Sequence, residues 1–478
     1  MTGVRGSAFQ TRWSEPRSSV SRAAWAYRPM VLLFGLLGLL IVLGVVRALA
    51  DAPTIDAGWH TDDQDRVTLM ASAEPALQAH AGQVLTSIVG VEANAAAGSS
   101  AGSATPGVPV GTDSIALRRS PRWVLDDRDR ARQRAAQMRL QVALAAPVVR
   151  FVFADGSEVE LRPKPRALLS LPAGLWLLCG ASLMLYLTSL RVVLNRANLR
   201  NLLYGLMAWC QAGNLLLIGI EMSVEFGPRG PLARWGLLLH VAFDLVTASA
   251  MVTAAALHPA RLPGARWISL AAWSASGLLI ALLATGALHN VWWWTQGLVL
   301  AMGVLIVGLF SWSYRIESHP LAIVLRQLGL ITAATWALMT LALAGSDGLR
   351  SVPHYIGDTV AVIWYTYLAS VLLLVPFLAR ARNLMREFAL LAAVSTIAIS
   401  LYLLFVAVFG LGQLPALTLA LFVSLGVYSV VRQWILSQLF GSSVMTTERV
   451  FEQLYRIARE VESRPERAPA LMSQLLRE

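Results

Sequence analysis

The chain has 478 residues, 56% of them hydrophobic and 14% charged, with mean hydropathy +0.58 and a formal net charge of +11. Soluble domains carry about 25% charged residues, so this composition excludes an ordinary soluble protein and marks one built for a membrane. The positive charge is nearly all arginine, with Lys164 the one lysine, and it gathers at the ends of apolar runs, which is orientation chemistry and argues against nucleic-acid binding.

Residues 1–30 form a basic tail, with Arg5, Arg12, Arg17, Arg22 and Arg28 set against Glu15. An apolar run follows from Met30 to Val46, and residues 31–48 are expected to be a transmembrane signal anchor. Ala48-Leu49-Ala50 has the small-residue character of a cleavage site, so cleavage after Ala50 is the alternative. Under either reading the segment that follows is exported.

Residues 51–170 are the one sizeable water-soluble region. Its first part gives a strand from Val67 to Leu69, Ala71 to Ala76, and a second strand from Val84 to Val91. Its second part gives a charged helix from about Asp126 to Leu144 and then a hairpin, Val148 to Phe153 and Val159 to Arg162, about the turn residues Asp155-Gly156. Asp-Gly between alternating β-formers is the strongest short-range hairpin signal. Between the two parts, Asn94 to Thr112 is rich in Ala, Gly, Ser and Pro and has too little apolar surface to order itself, so 94–113 is expected to be a disordered insertion.

From Pro172 apolar runs of roughly 20 residues recur, each long enough to cross the hydrocarbon core. Nine are expected within 172–435, at about 172–190, 201–220, 235–257, 267–287, 291–313, 327–345, 356–379, 387–410 and 415–435. With the anchor this gives about ten transmembrane helices. Placing the N-terminus in the cytoplasm puts Arg191, Arg196, Arg200, Arg261, Arg266, Arg315, Arg326, Arg380, Arg382 and Arg386 inside, against Arg229, Arg234 and Arg350 outside. That bias places residues 51–170 outside the cytoplasm and both termini within it. After Arg432, within 436–478, Val450, Phe451, Leu454, Ile457, Ala458 and Val461 recur at helical spacing among Glu452, Arg456, Arg459 and Glu460. They predict an amphipathic cytoplasmic helix that stops near Pro465.

The residues with chemical potential are few. His240 and Asp244 are four apart, on one helix face near the middle of a span. An ionisable group there costs at least about 2.5–3.5 kcal/mol, so a sensing or proton site is the default reading. The structural alternative is that Asp244 is protonated or hydrogen-bonds His240 and a neighbour such as Gln211 or Asn214. Trp292, Trp293 and Trp294 are expected in the interfacial aromatic belt, and Trp364, Tyr365 and Tyr367, which lie deeper, as pocket walls. Asp347, His354 and Asp358 read as solvated loop residues, with a metal site as the alternative. Cys179 and Cys210 lie in apolar runs and read as small buried hydrophobes. No cofactor or resident metal is expected, and no His-Glu-x-x-His helix, Gly-x-Ser-x-Gly elbow, Walker A sequence or dinucleotide fingerprint occurs.

In the exported region, the order of strand, Ala73-Glu74-Pro75-Ala76, helix ending in Ala81-Gly82, and strand with Val89-Gly90-Val91 resembles a bacterial PDZ domain, with the Asp155-Gly156 hairpin similar to its closing strands. The resemblance implies a small α+β domain. Gly58-Trp59-His60-Thr61-Asp62-Asp63 departs from the carboxylate loop through which such domains capture peptide C-termini. The whole arrangement resembles the membrane input module of a bacterial sensor histidine kinase, with Arg432 to Glu462 similar to the linker helix before the output domain. That resemblance implies a multi-pass protein of the inner membrane, a homodimer paired through its exit helix, and a cytoplasmic kinase or response-regulator partner. The sequence given carries no phosphoacceptor helix or ATP-binding domain, so the reading is a sensor acting through a partner, or a truncated kinase, and not an enzyme. The alternatives are a proton-coupled transporter or channel, and a membrane scaffold that binds an envelope protein or peptide through residues 51–170.

Overall fold

The computed structural model of the chain describes residues 19–61, 66–92, 105–106, 109–112, 114–117, 120–195, 198–224, 231–316, 320–347 and 356–374, and beyond these 394, 397–406, 409, 415–426 and 429. A long helix, α1 (Ser19–Asp51), opens the described chain and contains the expected anchor. The strands β1 (Pro53–Thr54), β2 (Ala57–Thr61) and β3 (Val67–Ser72) follow, then a single helical turn, α2 (Pro75–Gln78). Next come β4 (Leu85–Glu92), β5 (Thr105–Pro106), β6 (Val110–Gly111) and the charged helix α3 (Asp127–Leu144). The strands β7 (Val148–Phe153), β8 (Glu158–Leu161) and β9 (Lys164–Pro165) complete this domain.

Its antiparallel sheet runs in the order β5-β4-β7-β8, with β6 also on β4, while β2 pairs β3 and β1 pairs β9. The Asp155-Gly156 hairpin forms as expected, with Val149 opposite Leu161 and Phe151 opposite Val159. Gly156 takes φ +82°, a conformation that only glycine adopts without strain. Alternation along β7 buries Val149, Phe151 and Phe153 on one face, where Leu140 and Leu144 of α3 cover them together with Ile88 of β4. Two features depart from the sequence reading. Gly58 to Thr61 is strand β2. Residues 105–106 and 110–111, inside the segment expected to be disordered, pair with β4. Gly90 lies within β4 as expected, and α3 passes so close there that a Cβ would meet the Ala143 carbonyl oxygen at 2.9 Å.

The remaining elements are helices: α4 (Ala173–Asn195), α5 (Leu199–Ser223), α6 (Pro231–Leu257), α7 (Ala265–Ala284), α8 (Val291–Ile316), α9 (Pro320–Asp347) and α10 (Ile356–Leu374). Among the described residues seven helices are long and apolar enough to cross a membrane: α1 from Pro29, α4, α5, α6 from Leu232, α7, α8, and α9 from Leu325 to Gly345. Three shorter apolar helices, Ala361–Leu373, Ile397–Val406 and Pro415–Gly426, fall where the last three spans are expected. Their outward faces carry apolar side chains such as Leu33, Leu177, Trp267 and Leu341, as a hydrocarbon environment requires. The architecture is mainly helical and multi-pass. Cys179 and Cys210 are buried free thiols. The exit helix expected around Val450 to Val461 lies outside the described residues.

Small residues set the approach of the helices. A Cβ on Gly205 would clash with Val193, and one on Gly213 would meet the Phe243 ring at 2.5 Å. Gly213 and Phe243 stand next to Asn214 and Asp244 in sequence, so this close crossing of α5 and α6 sets the spacing of the polar groups described below.

The soluble domain packs on one end of the bundle. Arg166 donates to the carbonyl of Ser223 at the end of α5 (2.8 Å), and Asp127 of α3 accepts from the backbone N–H groups of Asn290 (2.5 Å) and Val291 (3.3 Å) at the start of α8. Asp127 thereby places a carboxylate where α8 has unsatisfied donors and the positive end of its dipole.

Candidate functional site at the domain–bundle junction

The site begins in the segment before α3. Pro121-Arg122-Trp123 forms a single 3₁₀ turn, opened by Ser120, whose hydroxyl accepts from the Arg122 N–H. Arg130, one turn into α3, holds this segment from behind: its guanidinium donates to the carbonyls of Pro121 (3.0 Å) and Val124 and pairs with Asp127. Burial lowers the pKa of Arg130, and Asp127 and Asp126 offset this only in part. So braced, the turn is pushed into the bundle. Trp123 joins the hydrophobic cluster formed by Leu178, Leu185, Tyr204 and Tyr365.

Arg122 goes deeper. Its side chain is 3% exposed and donates to Asp244 Oδ2 in the middle of α6. The guanidinium also lies over the rings of Trp123 (4.6 Å) and Tyr365 (4.9 Å). Burial by itself would lower the pKa of Arg122, but Asp244, Tyr365 and Glu221 outweigh it, so the group is held more firmly charged than a free arginine. The other Asp244 oxygen, Oδ1, accepts from the Tyr365 hydroxyl (2.8 Å) and the Asn214 amide (3.0 Å). With Arg122 on one oxygen and two neutral donors on the other, Asp244 is accommodated as a carboxylate.

These bonds fix the chemistry of His240. Asn214 donates its amide N–H to Asp244, so its carbonyl Oδ1 is the atom facing His240 Nδ1 at 2.9 Å. His240 Nδ1 therefore carries the hydrogen. The Arg122 nitrogen 3.4 Å from Nδ1 also bears hydrogens, so that approach is a contact between two donors and not a hydrogen bond. His240 Nε2 lies 3.3 Å from Glu221 Oε1 on α5, without a hydrogen bond between them.

Two spaces adjoin this network. A small cleft on the domain side is lined by Arg122, Arg130, Trp292 and Gln296 among others, and it reaches Asp244. A larger one lies farther along α6 and α8 among Gln211, Thr247, Met251, Trp336 and Trp364, and it too reaches Asp244.

The expected site residues are largely brought together. His240, Asp244 and Asn214 form one network, whereas Gln211 donates to Thr247 Oγ1 (2.9 Å) and contacts neither His240 nor Asp244 by hydrogen bond. Of the expected pocket aromatics, Trp364 lines the larger space, Tyr365 bonds Asp244, and Tyr367 shares a hydrogen bond with Thr332. Trp293 and Trp294 are exposed as belt residues should be, but Trp292 is 1% exposed and belongs to the core, because its face of α8 turns toward α6 and the domain. The side chains of Asp347, His354 and Asp358 lie outside the described residues.

Sequence reasoning missed Arg122, Arg130 and Glu221. Glu221 carried a signal, an acid near the end of the apolar run Leu215 to Ile220. Arg122 carried none, as one of several arginines between positions 118 and 139. A scan of protein-family models and searches of curated proteins and of solved structures returned no match.

Proposed function

We propose that the chain is a membrane-bound signal-transduction sensor, passing an extracytoplasmic or intramembrane stimulus to a cytoplasmic output through its C-terminal helix. One observation carries the reading: the guanidinium of Arg122, rooted in the soluble domain, is the partner of Asp244 at the centre of α6. A stimulus that moves the 120–124 segment strands a carboxylate in a low-dielectric interior. The cost of that, about 3–5 kcal/mol, is of the size needed to shift a two-state helix packing decisively.

In this reading residues 51–170 are extracytoplasmic and PDZ-like, both termini are cytoplasmic, and the three shorter apolar helices bring the bundle to ten spans in a bacterial inner membrane. The domain packs where α5 ends and α8 begins, the end at which the sequence places Arg47, Arg229, Arg234 and Arg350 against ten arginines at the other, which supports that orientation. Two copies pair through residues 450–461 and pass the change to a kinase or response regulator. The test is disulfide crosslinking between single cysteines placed along 450–461 of the full chain in membranes. Arg122→Gln is expected to change which positions crosslink relative to wild type. An identical pattern in wild type, Arg122→Gln and Asp244→Asn would overturn the proposal.

A second reading, a proton-coupled transporter, is favoured by the position of Asp244 on the walls of both clefts. It requires proton flux in proteoliposomes that Asp244→Asn abolishes, and no flux in the wild type would remove it.

A further inference from the structure

We infer that the larger cleft, among α5, α6, α8, α9 and α10, is a binding site for an amphiphile with an uncharged hydroxyl-type head group and an apolar chain. Its walls are chiefly Met251, Leu300, Ile306, Trp364 and Leu368, apolar side chains that suit a hydrocarbon chain.

The polar atoms at the cleft choose the head group. Asp244 reaches the wall, but Arg122, Asn214 and Tyr365 already occupy its oxygens and Arg122 cancels its charge. An amine or another cation therefore finds no unbalanced partner. Thr247 Oγ1 accepts from Gln211, and the Thr332 hydroxyl is shared with the Leu328 carbonyl and Tyr367. Two wall residues keep an unused polar atom. Gln211, 1% exposed, has no partner for its acceptor Oε1, and Trp336, 4% exposed, has none for its donor Nε1. Buried polar groups left unpaired are costly, and one unmatched acceptor on α5 with one unmatched donor on α9, both lining the cleft, favour a group that both donates and accepts. A hydroxyl does both without charge. The inference concerns binding alone and holds whether the protein signals or transports.

The experiment uses the full chain in phosphatidylcholine–phosphatidylglycerol nanodiscs and a long-chain primary alcohol bearing a mid-chain diazirine, with labelled peptides mapped after irradiation. Saturable labelling is expected on the cleft faces of α6, α8 and α10, competed by the unlabelled alcohol and much less by the alkane or the amine of equal length. Trp336→Phe and Gln211→Leu are each expected to raise the half-saturating concentration about three- to tenfold, the effect of one lost hydrogen bond. Ala248→Phe, which fills the cleft, should abolish cleft labelling while leaving that of the exposed Leu278 and Leu341 unchanged, which shows that the variant is folded. Labelling confined to such lipid-facing positions would overturn the inference, as would a cleft holding only water or equal competition by the alkane.

Discussion

Arg122 sits on a three-residue turn of the soluble domain, yet its guanidinium is bonded to Asp244, 122 positions away in the middle of α6. Neither residue is stable where it is without the other. A lone carboxylate in the bundle, or a lone guanidinium pressed beneath Trp123 and Tyr365, would lack both solvation and a counter-charge. The domain and the membrane bundle are thus one electrostatic unit at this point.

That interdependence has a measurable signature. Arg122→Gln and Asp244→Asn are each expected to lower stability by about 3–5 kcal/mol, because each leaves its partner buried and unpaired. The double variant should lose clearly less than the sum, with a coupling of at least about 1 kcal/mol in a double-mutant cycle followed by thermal unfolding. Additive losses would show that the two side chains stabilise the fold separately.

Arg130 should matter through Arg122. It donates to the carbonyls of Pro121 and Val124 and touches no bundle helix by hydrogen bond among its described contacts. Arg130→Ala releases the 120–124 segment, so hydrogen exchange is expected to quicken at Arg122 and Trp123 and also in the α6 backbone around His240 to Asp244. Exchange that quickens only within the domain would mean that the brace does not position Arg122.

Gly90→Ala tests the packing of α3 on β4. The added methyl would stand 2.9 Å from the Ala143 carbonyl oxygen and 3.1 Å from its Cα, both backbone atoms that no rotamer change can clear. Overpacking of this kind costs about 1–3 kcal/mol, and a matching fall in the unfolding temperature of the domain is expected. An unchanged transition would mean that α3 can ride outward without loss.

The hairpin supplies a pH dependence. The hydroxyl and backbone N–H of Ser157, with a further bond from Gln83, hold the Asp155 carboxyl below its ordinary value. A carboxyl whose pKa is depressed by folding contributes stability above its unfolded pKa of about 3.9 and loses it as pH falls through the lower folded value. Asp155→Asn should therefore be less stable than wild type at neutral pH, and the difference should shrink as pH drops below about 4. A difference independent of pH would assign the effect to turn geometry and not to charge.

Much of the architecture was written in local pattern. Apolar runs of spanning length fixed where α4 to α9 lie, Asp155-Gly156 between alternating β-formers fixed the β7–β8 hairpin, and Asp126 before a charged run fixed the start of α3. His240 and Asp244 stood out because an ionisable pair is improbable at that depth without a task. Each of these signals is short-range, since backbone hydrogen bonding and hydrophobic periodicity act over a few residues.

Tertiary structure decided what those residues meet. Asp244 is ion-paired where local reading offered protonation or a neutral partner, because the 121–123 turn reaches it from the domain. His240 faces Glu221 because α5 and α6 cross closely at Gly213, and Trp292 turns inward because its face of α8 is covered. Contacts between residues far apart in the chain leave no period or spacing to read. The composition thus determined a membrane bundle with a soluble domain, while the fold alone determined that a buried arginine from one locks into the centre of the other.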